Sequence, residues 1–255
     1  MNQKMVLVSG ASGTLGRAYL EHYQGESGVR CIGIARRDVS IPNVSILKAD
    51  LLGTAETAAA INRLSFEGVE EVVLIHPVGM FKFEEDGKPA VDLDGDGVDD
   101  EVLASNIATL DNILNPLREK IASTGKHIPL TLCAFGSLSD SYAVKYWKSY
   151  SRAKNMLRSH MRKLSSDREN EIRCVFFTVS TVNAEKEREL RPFADAQYWL
   201  ATEELVARSV PHIDQAKSWE EVDIFNPMPG FKPEYYSDHD AVRTRWSREM
   251  GRKLR

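Results

Sequence analysis

The run Val6-Leu-Val-Ser-Gly10-Ala-Ser12-Gly13-Thr14-Leu15-Gly16 constrains this chain more than any other feature. An apolar stretch of strand length, Lys4–Ser9, leads into it, and a segment of helical period, Thr14–Tyr23, leads out. The glycines let the backbone turn sharply and bring its N–H groups close to a ligand, with no Cβ in the way. A second apolar run, Val29–Ala35, follows, so the chain opens as strand, turn, helix, strand. In such a unit the helix returns the chain to the starting end of the sheet, and the two strands lie parallel.

The same alternation continues. Val44–Ala49, Glu71–Ile75, Ile128–Ala134, Ile172–Thr178 and Val222–Phe225 read as strands, most of them rich in β-branched residues. Helical patterns cover Thr54–Leu64, Glu101–Ser123, Ser149–Leu164 and Gln197–Ser209. Strands that are apolar throughout and separated by helices belong to a parallel sheet covered on both faces. The expected fold is therefore α/β: a three-layer, doubly wound Rossmann-type parallel sheet of about seven strands flanked by helices. No repeat, low-complexity linker or break in composition divides residues 1–255, which read as a single domain. Phe225–Asp240 carries Pro227, Pro229 and Pro233 among aromatic residues and cannot be a long helix or a central strand. The basic tail, with Arg243, Arg245, Arg248, Arg252, Lys253 and Arg255, reads as a solvated helix face or a subunit contact. Residues 183–255 are expected to shape a substrate pocket.

Composition excludes several classes. The net charge is −4, which argues against a nucleic-acid binder with a basic face. No apolar stretch approaches the roughly 18 residues of a membrane span. Met1 to Val8 runs straight into a strand, so no secretory leader is expected. Cys31, Cys133 and Cys174 are odd in number and lie in apolar, strand-like runs, as buried thiols of a reducing compartment do. The expected setting is the cytoplasm.

A glycine turn between a first strand and its helix faces a pyrophosphate with free N–H groups and the positive end of the helix dipole. The residues in place for this are Gly10, Ser12, Gly13, Thr14, Leu15 and Gly16. The end of the second strand selects the dinucleotide, since an acidic residue takes a ribose 2′-hydroxyl and arginine a 2′-phosphate. Here Arg36 and Arg37 arrive before Asp38, which points to NADP(H). The competing readings are Asp38 on the ribose, or two arginines that are merely solvated.

Tyr150-Ser-Arg-Ala-Lys154 lies within a helical segment, and residues four apart share a face. A fixed ammonium beside a phenol stabilises the phenolate and brings its pKa, about 10 when free, nearer the working pH. Ser137 stands just past the carboxyl end of the strand Ile128–Ala134, where open parallel sheets place their ligands.

These residues, their spacing and the order of elements resemble the short-chain dehydrogenase/reductase family over roughly residues 4–183. The resemblance implies that Tyr150 is the general acid of a carbonyl reduction and the base of the reverse oxidation. Lys154 would lower the tyrosine pKa and bind the nicotinamide ribose, and Ser137 would hydrogen-bond the substrate carbonyl. Asn106 would anchor a proton-relay water. Asp50 and Leu51 would contact adenine, His76 would touch the cofactor, and Val182 would offer backbone groups to its carboxamide. The substrate would be a small carbonyl compound or alcohol. The helices Glu101–Ser123 and Ser149–Leu164, with Leu110, Ile113, Leu117 and Met156, would build a homodimer or homotetramer. The Gly-x-x-Gly-x-x-Gly spacing resembles the extended and atypical branches, many of which act on sugar nucleotides. His76-Pro-Val-Gly79 stands where the common branch has Asn-Asn-Ala-Gly, Val179-Ser180 replace Pro-Gly, and Ala184 replaces a threonine. Two other readings follow: a nucleotide-sugar epimerase or dehydratase with bound NADP, and a non-catalytic NADP-binding regulator. Length disfavours the first, and the intact Ser–Tyr–Lys–Asn set disfavours the second.

Asp92-Leu-Asp94-Gly-Asp96-Gly97 matches the first half of a calcium loop, but Leu103 stands where a bidentate Glu is required. An acidic surface turn is the better reading. The histidines show no metal-ligand spacing, and no metal site is expected.

Overall fold

The computed structural model describes residues 3–167, 172–226 and 228–252. Met1, Pro227, Lys253 and Arg255 lie outside them. Seven strands form one sheet: β1 (Gln3–Ser9), β2 (Val29–Ala35), β3 (Val44–Lys48), β4 (Val69–His76), β5 (Leu130–Ser137), β6 (Ile172–Val179) and β7 (Trp219–Ile224). All pairings are parallel and the order is β3-β2-β1-β4-β5-β6-β7. The order reverses between β1 and β4, which opens a crevice at their carboxyl ends.

The period of two along the strands builds two cores. Met5 and Leu7 point to one face with Ile32, Ile34 and Leu74, whereas Val6 and Val8 point to the other with Cys31, Val73 and Ile75. The first face is covered by α2 (Thr54–Asn62), α4 (Ala108–Ala122) and α5 (Lys148–Ser165), through Ile61, Leu110, Leu117, Leu157 and Met161. The second is covered by α1 (Thr14–Tyr23) and α7 (Thr202–Asp214), through Tyr19, Leu20, Leu205 and Val210. With both faces dry, central strands have no solvated side and read as continuous apolar runs. Burying each such side chain contributes about 1.5–3 kcal/mol, so the sheet centre is the most stable part of the molecule.

Several sequence expectations need correction. The pattern Glu101–Ser123 is two helices, α3 (Asp100–Asn106) and α4, parted at Ile107, whose φ of −116° leaves the helical well. At that break the Asn106 amide donates to the Val102 carbonyl at 2.8 Å, and Thr109 Oγ1 to the Ser105 carbonyl at 2.8 Å. Side chains thus take carbonyls that a continuous helix gives to its own N–H groups. The helix expected over Gln197–Ser209 begins only at Thr202, because Leu200 pairs with Val182 as a parallel bridge. Leu110, Ile113 and Leu117 are fully buried in the core of the single chain, so only Met156, 43% exposed, remains for a subunit contact. All three cysteines are buried and unpaired. Burial pushes the Cys31 thiol up to about 11 and the Cys174 thiol up to about 12.

The C-terminal segment packs against the body as a third, aromatic cluster. Trp246 of α8 (His239–Glu249) stacks on Phe81 and Phe83, which follow β4, and touches Trp147 ahead of α5. The basic tail is therefore only partly solvated: Arg245 pairs with the buried Glu249. No described helix is long and apolar enough to cross a membrane.

Candidate active site

The glycine turn has the geometry its sequence called for. Gly10 adopts φ +66°, the left-handed region that favours glycine, and the Gly13 N–H closes the turn on the Gly10 carbonyl at 2.8 Å. A Cβ on Gly16 would stand 2.4 Å from the Gly10 carbonyl oxygen, so only glycine lets α1 begin this close to β1. No side chain caps α1. Its first-turn N–H groups, around Ser12, Thr14 and Leu15, are left for an anion, which fits a pyrophosphate. Beside it a cleft of about 600 Å³ is lined by Thr14, Asn183, Glu185, Arg188, Glu189 and Thr202. Its far wall is the segment after β6 with α6 (Glu185–Leu190), and Glu185 N–H donates to Thr14 Oγ1 at 3.4 Å.

The other cofactor candidates ring the same sheet edge. Arg36 and Arg37 are exposed directly after β2, and Asp38 is held by Lys48 at 2.9 Å. Asp50 Oδ1 accepts the Leu52 N–H at 3.1 Å, and the Leu51 side chain is core, which leaves its main chain to face the crevice. The Val182 carbonyl accepts from Ala184 at 2.8 Å. His76 is different. Its ring is 1% exposed, with Nδ1 2.8 Å from Ser9 Oγ and Nε2 3.3 Å from Thr109 Oγ1. Burial and the Lys154 charge push its pKa down to about 3. The neutral imidazole therefore ties the ends of β1 and β4 together across the crevice, and a cofactor there would meet backbone rather than the ring.

Asn106 and Lys154 converge on Gly79. A Cβ at that glycine would stand 2.2 Å from Asn106 Oδ1 and 3.0 Å from Lys154 Nζ. Asn106 is fully buried; its Nδ2 donates to Val102 O, Met80 O and Ser105 Oγ, whereas Oδ1 has no partner. An orphaned buried acceptor aimed into a cradle is suited to a water or a ligand hydroxyl. Lys154 Nζ lies 5.4 Å from the Tyr150 ring centroid. Tyr150 packs edge-on against Phe81 at 5.2 Å. Ser137 ends β5, its Oγ 3.0 Å from Ser139 Oγ, which in turn accepts from Trp147 Nε1 at 3.1 Å.

The electrostatics differ from the sequence expectation. Burial first, then the charges of Asp140 and Glu187, hold the Tyr150 phenol above its ordinary range, so it is a firm proton holder. Burial lowers the Lys154 ammonium, and the charge of Asp140 partly restores it. Asp140 was not legible as a site residue: it is a single acid three positions after Ser137, with no spacing to mark it. Neither were Phe81, Trp147 and Trp246, which reach Tyr150 from separate segments. The acidic loop is a surface turn next to this site. Asp92, Asp94 and Asp100 offer oxygens within 4.8 Å of one another, and they accept N–H groups of Gly97, Asp96 and Leu93. Asp99 is buried and caps α3 through the Val102 N–H while binding Lys82.

No family model matches the sequence, and no curated protein matches it either. Solved structures share its fold. The ligand-free aldohexose dehydrogenase of Thermoplasma acidophilum superposes with a TM-score of 0.71 at 17% identity, covering 91% of this chain and 98% of that one. A short-chain dehydrogenase of Burkholderia cenocepacia in complex with NADP gives 0.68 at 17% identity over 96% and 98%. A 3-ketoacyl-(acyl-carrier-protein) reductase of Brucella melitensis complexed with NADH gives 0.63 at 15% identity over 87% and 97%. The fold is thus the one these dehydrogenases and reductases share, over nearly their full length.

Proposed function

We propose that this chain is a short-chain dehydrogenase/reductase, an NADP(H)-dependent oxidoreductase that reduces a ketone or aldehyde or oxidises the matching alcohol. The observation that carries the reading is the convergence of Asn106 Oδ1 and Lys154 Nζ on Gly79, beside Tyr150, at the carboxyl end of β4. When bound, the cofactor supplies or takes the hydride. The chain's residues do the rest. The uncapped start of α1 holds the pyrophosphate, Arg36 and Arg37 hold the 2′-phosphate, and Asp50 and Leu51 border the adenine. Val182 meets the carboxamide through its main chain. Ser137 hydrogen-bonds the substrate oxygen and stabilises the charge that develops on it. Tyr150, kept protonated by its surroundings, gives that oxygen a proton. Lys154 holds the ribose and balances the phenolate left behind, and Asn106 Oδ1 receives the water that returns a proton to the site.

The rest of the reading is a small carbonyl or alcohol substrate, no role for nucleic acid or a membrane, and a cytoplasmic setting in which the buried thiols stay reduced. A homodimer or homotetramer belongs to it as well, built on surfaces around Met156. Light scattering that gave a clean monomer mass at micromolar concentration would remove that part.

The test of the activity is NADPH consumption across a panel of ketones and aldehydes, with Tyr150→Phe as the variant. Tyr150→Phe deletes one hydroxyl and should leave folding and NADPH binding intact while slowing turnover by about 10²–10⁴-fold. A folded Tyr150→Phe protein with wild-type turnover would remove the catalytic assignment.

A further inference from the structure

Asp140 lies in the interior, 2% exposed, three residues past Ser137. One carboxylate oxygen, Oδ2, accepts the Ser137 N–H at 2.7 Å and stands 3.6 Å from the Arg158 guanidinium. The other, Oδ1, is buried with no hydrogen-bond partner. Room for this carboxylate is left by a glycine, since a Cβ on Gly136 would stand 2.8 Å from Oδ2. The helix α5 wraps around it: Asn155 Nδ2 donates to the Asp140 carbonyl at 2.8 Å, and Tyr150 and Lys154 both feel the charge. A buried carboxylate with an unused oxygen is unfavourable by itself, and it persists where a nearby cation needs it.

We propose that Asp140 is a positioning residue of the catalytic centre: one oxygen fixes the Ser137 main chain, and the charge of the group keeps Lys154 an ammonium beneath Tyr150. This rests on the oxidoreductase reading given above. The groups around it favour Lys154 as the partner. Arg158 has its own carboxylate, Glu221 on β7, at 2.8 Å from Nε, and lies over the Phe176 ring at 4.8 Å. His76 on β4 faces Lys154 but is neutral, and Glu187 on α6 acts on Tyr150. Burial raises Asp140, while the Ser137 N–H, Lys154 and Arg158 hold it down.

The Asp140→Asn substitution separates charge from shape, because an amide oxygen still accepts the Ser137 N–H. Without the negative charge, the Tyr150–Lys154 pair gives up its first proton at lower pH. The alkaline limb of NADPH-dependent carbonyl reduction should move to lower pH by about 1–3 units. A purely structural role would leave that limb in place.

Thermal melts supply the arm that needs no substrate. Wild type, Asp140→Asn, Lys154→Met and the double variant should show non-additive changes in Tm at about pH 7.5, where both groups are charged, and additive changes at about pH 5, where Asp140 is protonated. The same cycle with Arg158→Met is the comparison. Coupling to Arg158 with none to Lys154, or an unmoved alkaline limb in active Asp140→Asn protein, overturns the inference. A wild type that reduces no carbonyl compound, with the Lys154 cycle still coupled, counts against the oxidoreductase reading and upholds the pairing. If Asp140→Asn does not fold, Lys154→Met decides alone. With the ammonium gone the buried carboxyl ionises later, so the fall in Tm on raising pH should extend to higher pH than in wild type; an unchanged profile overturns the pairing.

Discussion

Gly79→Ala probes the site with a single methyl group. Gly79 does not occupy the left-handed region, so the alanine brings no backbone strain and the effect is one of space. The new Cβ would stand 2.2 Å from Asn106 Oδ1 and 3.1 Å from its Cγ, so the amide must retreat by about 1 Å to reach ordinary contact. Asn106 cannot do this freely, because Nδ2 is held by Val102 O at 2.8 Å and Met80 O at 3.1 Å. Losing those bonds in a fully buried side chain costs about 1 kcal/mol each, and leaving the amide unpaired adds about 1–3 kcal/mol. The net destabilisation is about 2–4 kcal/mol, or a fall in Tm of about 5–15 °C for a chain of this size. A displacement of about 1 Å at a reacting centre also lowers turnover by about 10²-fold. Melting curves and NADPH-dependent reduction measure both effects. Gly25→Ala is the control, since nothing lies within 4 Å of a Cβ there. A Gly79→Ala protein that melts within a degree of wild type and keeps full turnover would refute the convergence of Asn106 and Lys154 on this glycine.

Three further outcomes are expected. NADPH should bind more tightly than NADH, and Arg36→Ala with Arg37→Ala should erase the difference; equal affinities in the wild type, by fluorescence titration, would contradict the 2′-phosphate role. His76 has a depressed folded pKa, so its contribution to stability is complete above about pH 6.5 and is lost as pH falls toward about 3. Urea unfolding at pH 7 and pH 4 should show wild type losing up to about 3 kcal/mol more than His76→Gln. Glu249→Gln should destabilise by about 3–5 kcal/mol, because Arg191, 4% exposed and packed over Trp199 and Trp246, would keep a buried charge without its carboxylate at 3.0 Å; unfolding in urea measures the loss.

The sequence alone determined the local structure and its chemistry. The glycine turn of Gly10, Gly13 and Gly16 is legible because the backbone itself needs those residues, whatever surrounds them. The strands are legible because a parallel sheet with both faces covered leaves apolar runs such as Met5–Val8. Tyr150 and Lys154 are legible because residues four apart share a helix face in any tertiary setting. What the tertiary structure decided is whatever depends on side chains brought together from distant segments. The break at Ile107 depends on how Asn106 and Thr109 meet nearby carbonyls. The late start of α7 depends on Leu200 pairing with Val182. His76 reads in sequence as a strand-end residue facing the crevice, but Ser9 and Thr109 close around its ring and make it a strut. Leu110, Ile113 and Leu117 look surplus to one apolar face until β4, β5 and α2 supply the second wall. Asp140 and the aromatic cluster around Tyr150 follow the same rule. A carboxylate becomes an electrostatic partner only through burial and the approach of α5, and neither burial nor approach is a property of the residue or its neighbours in sequence.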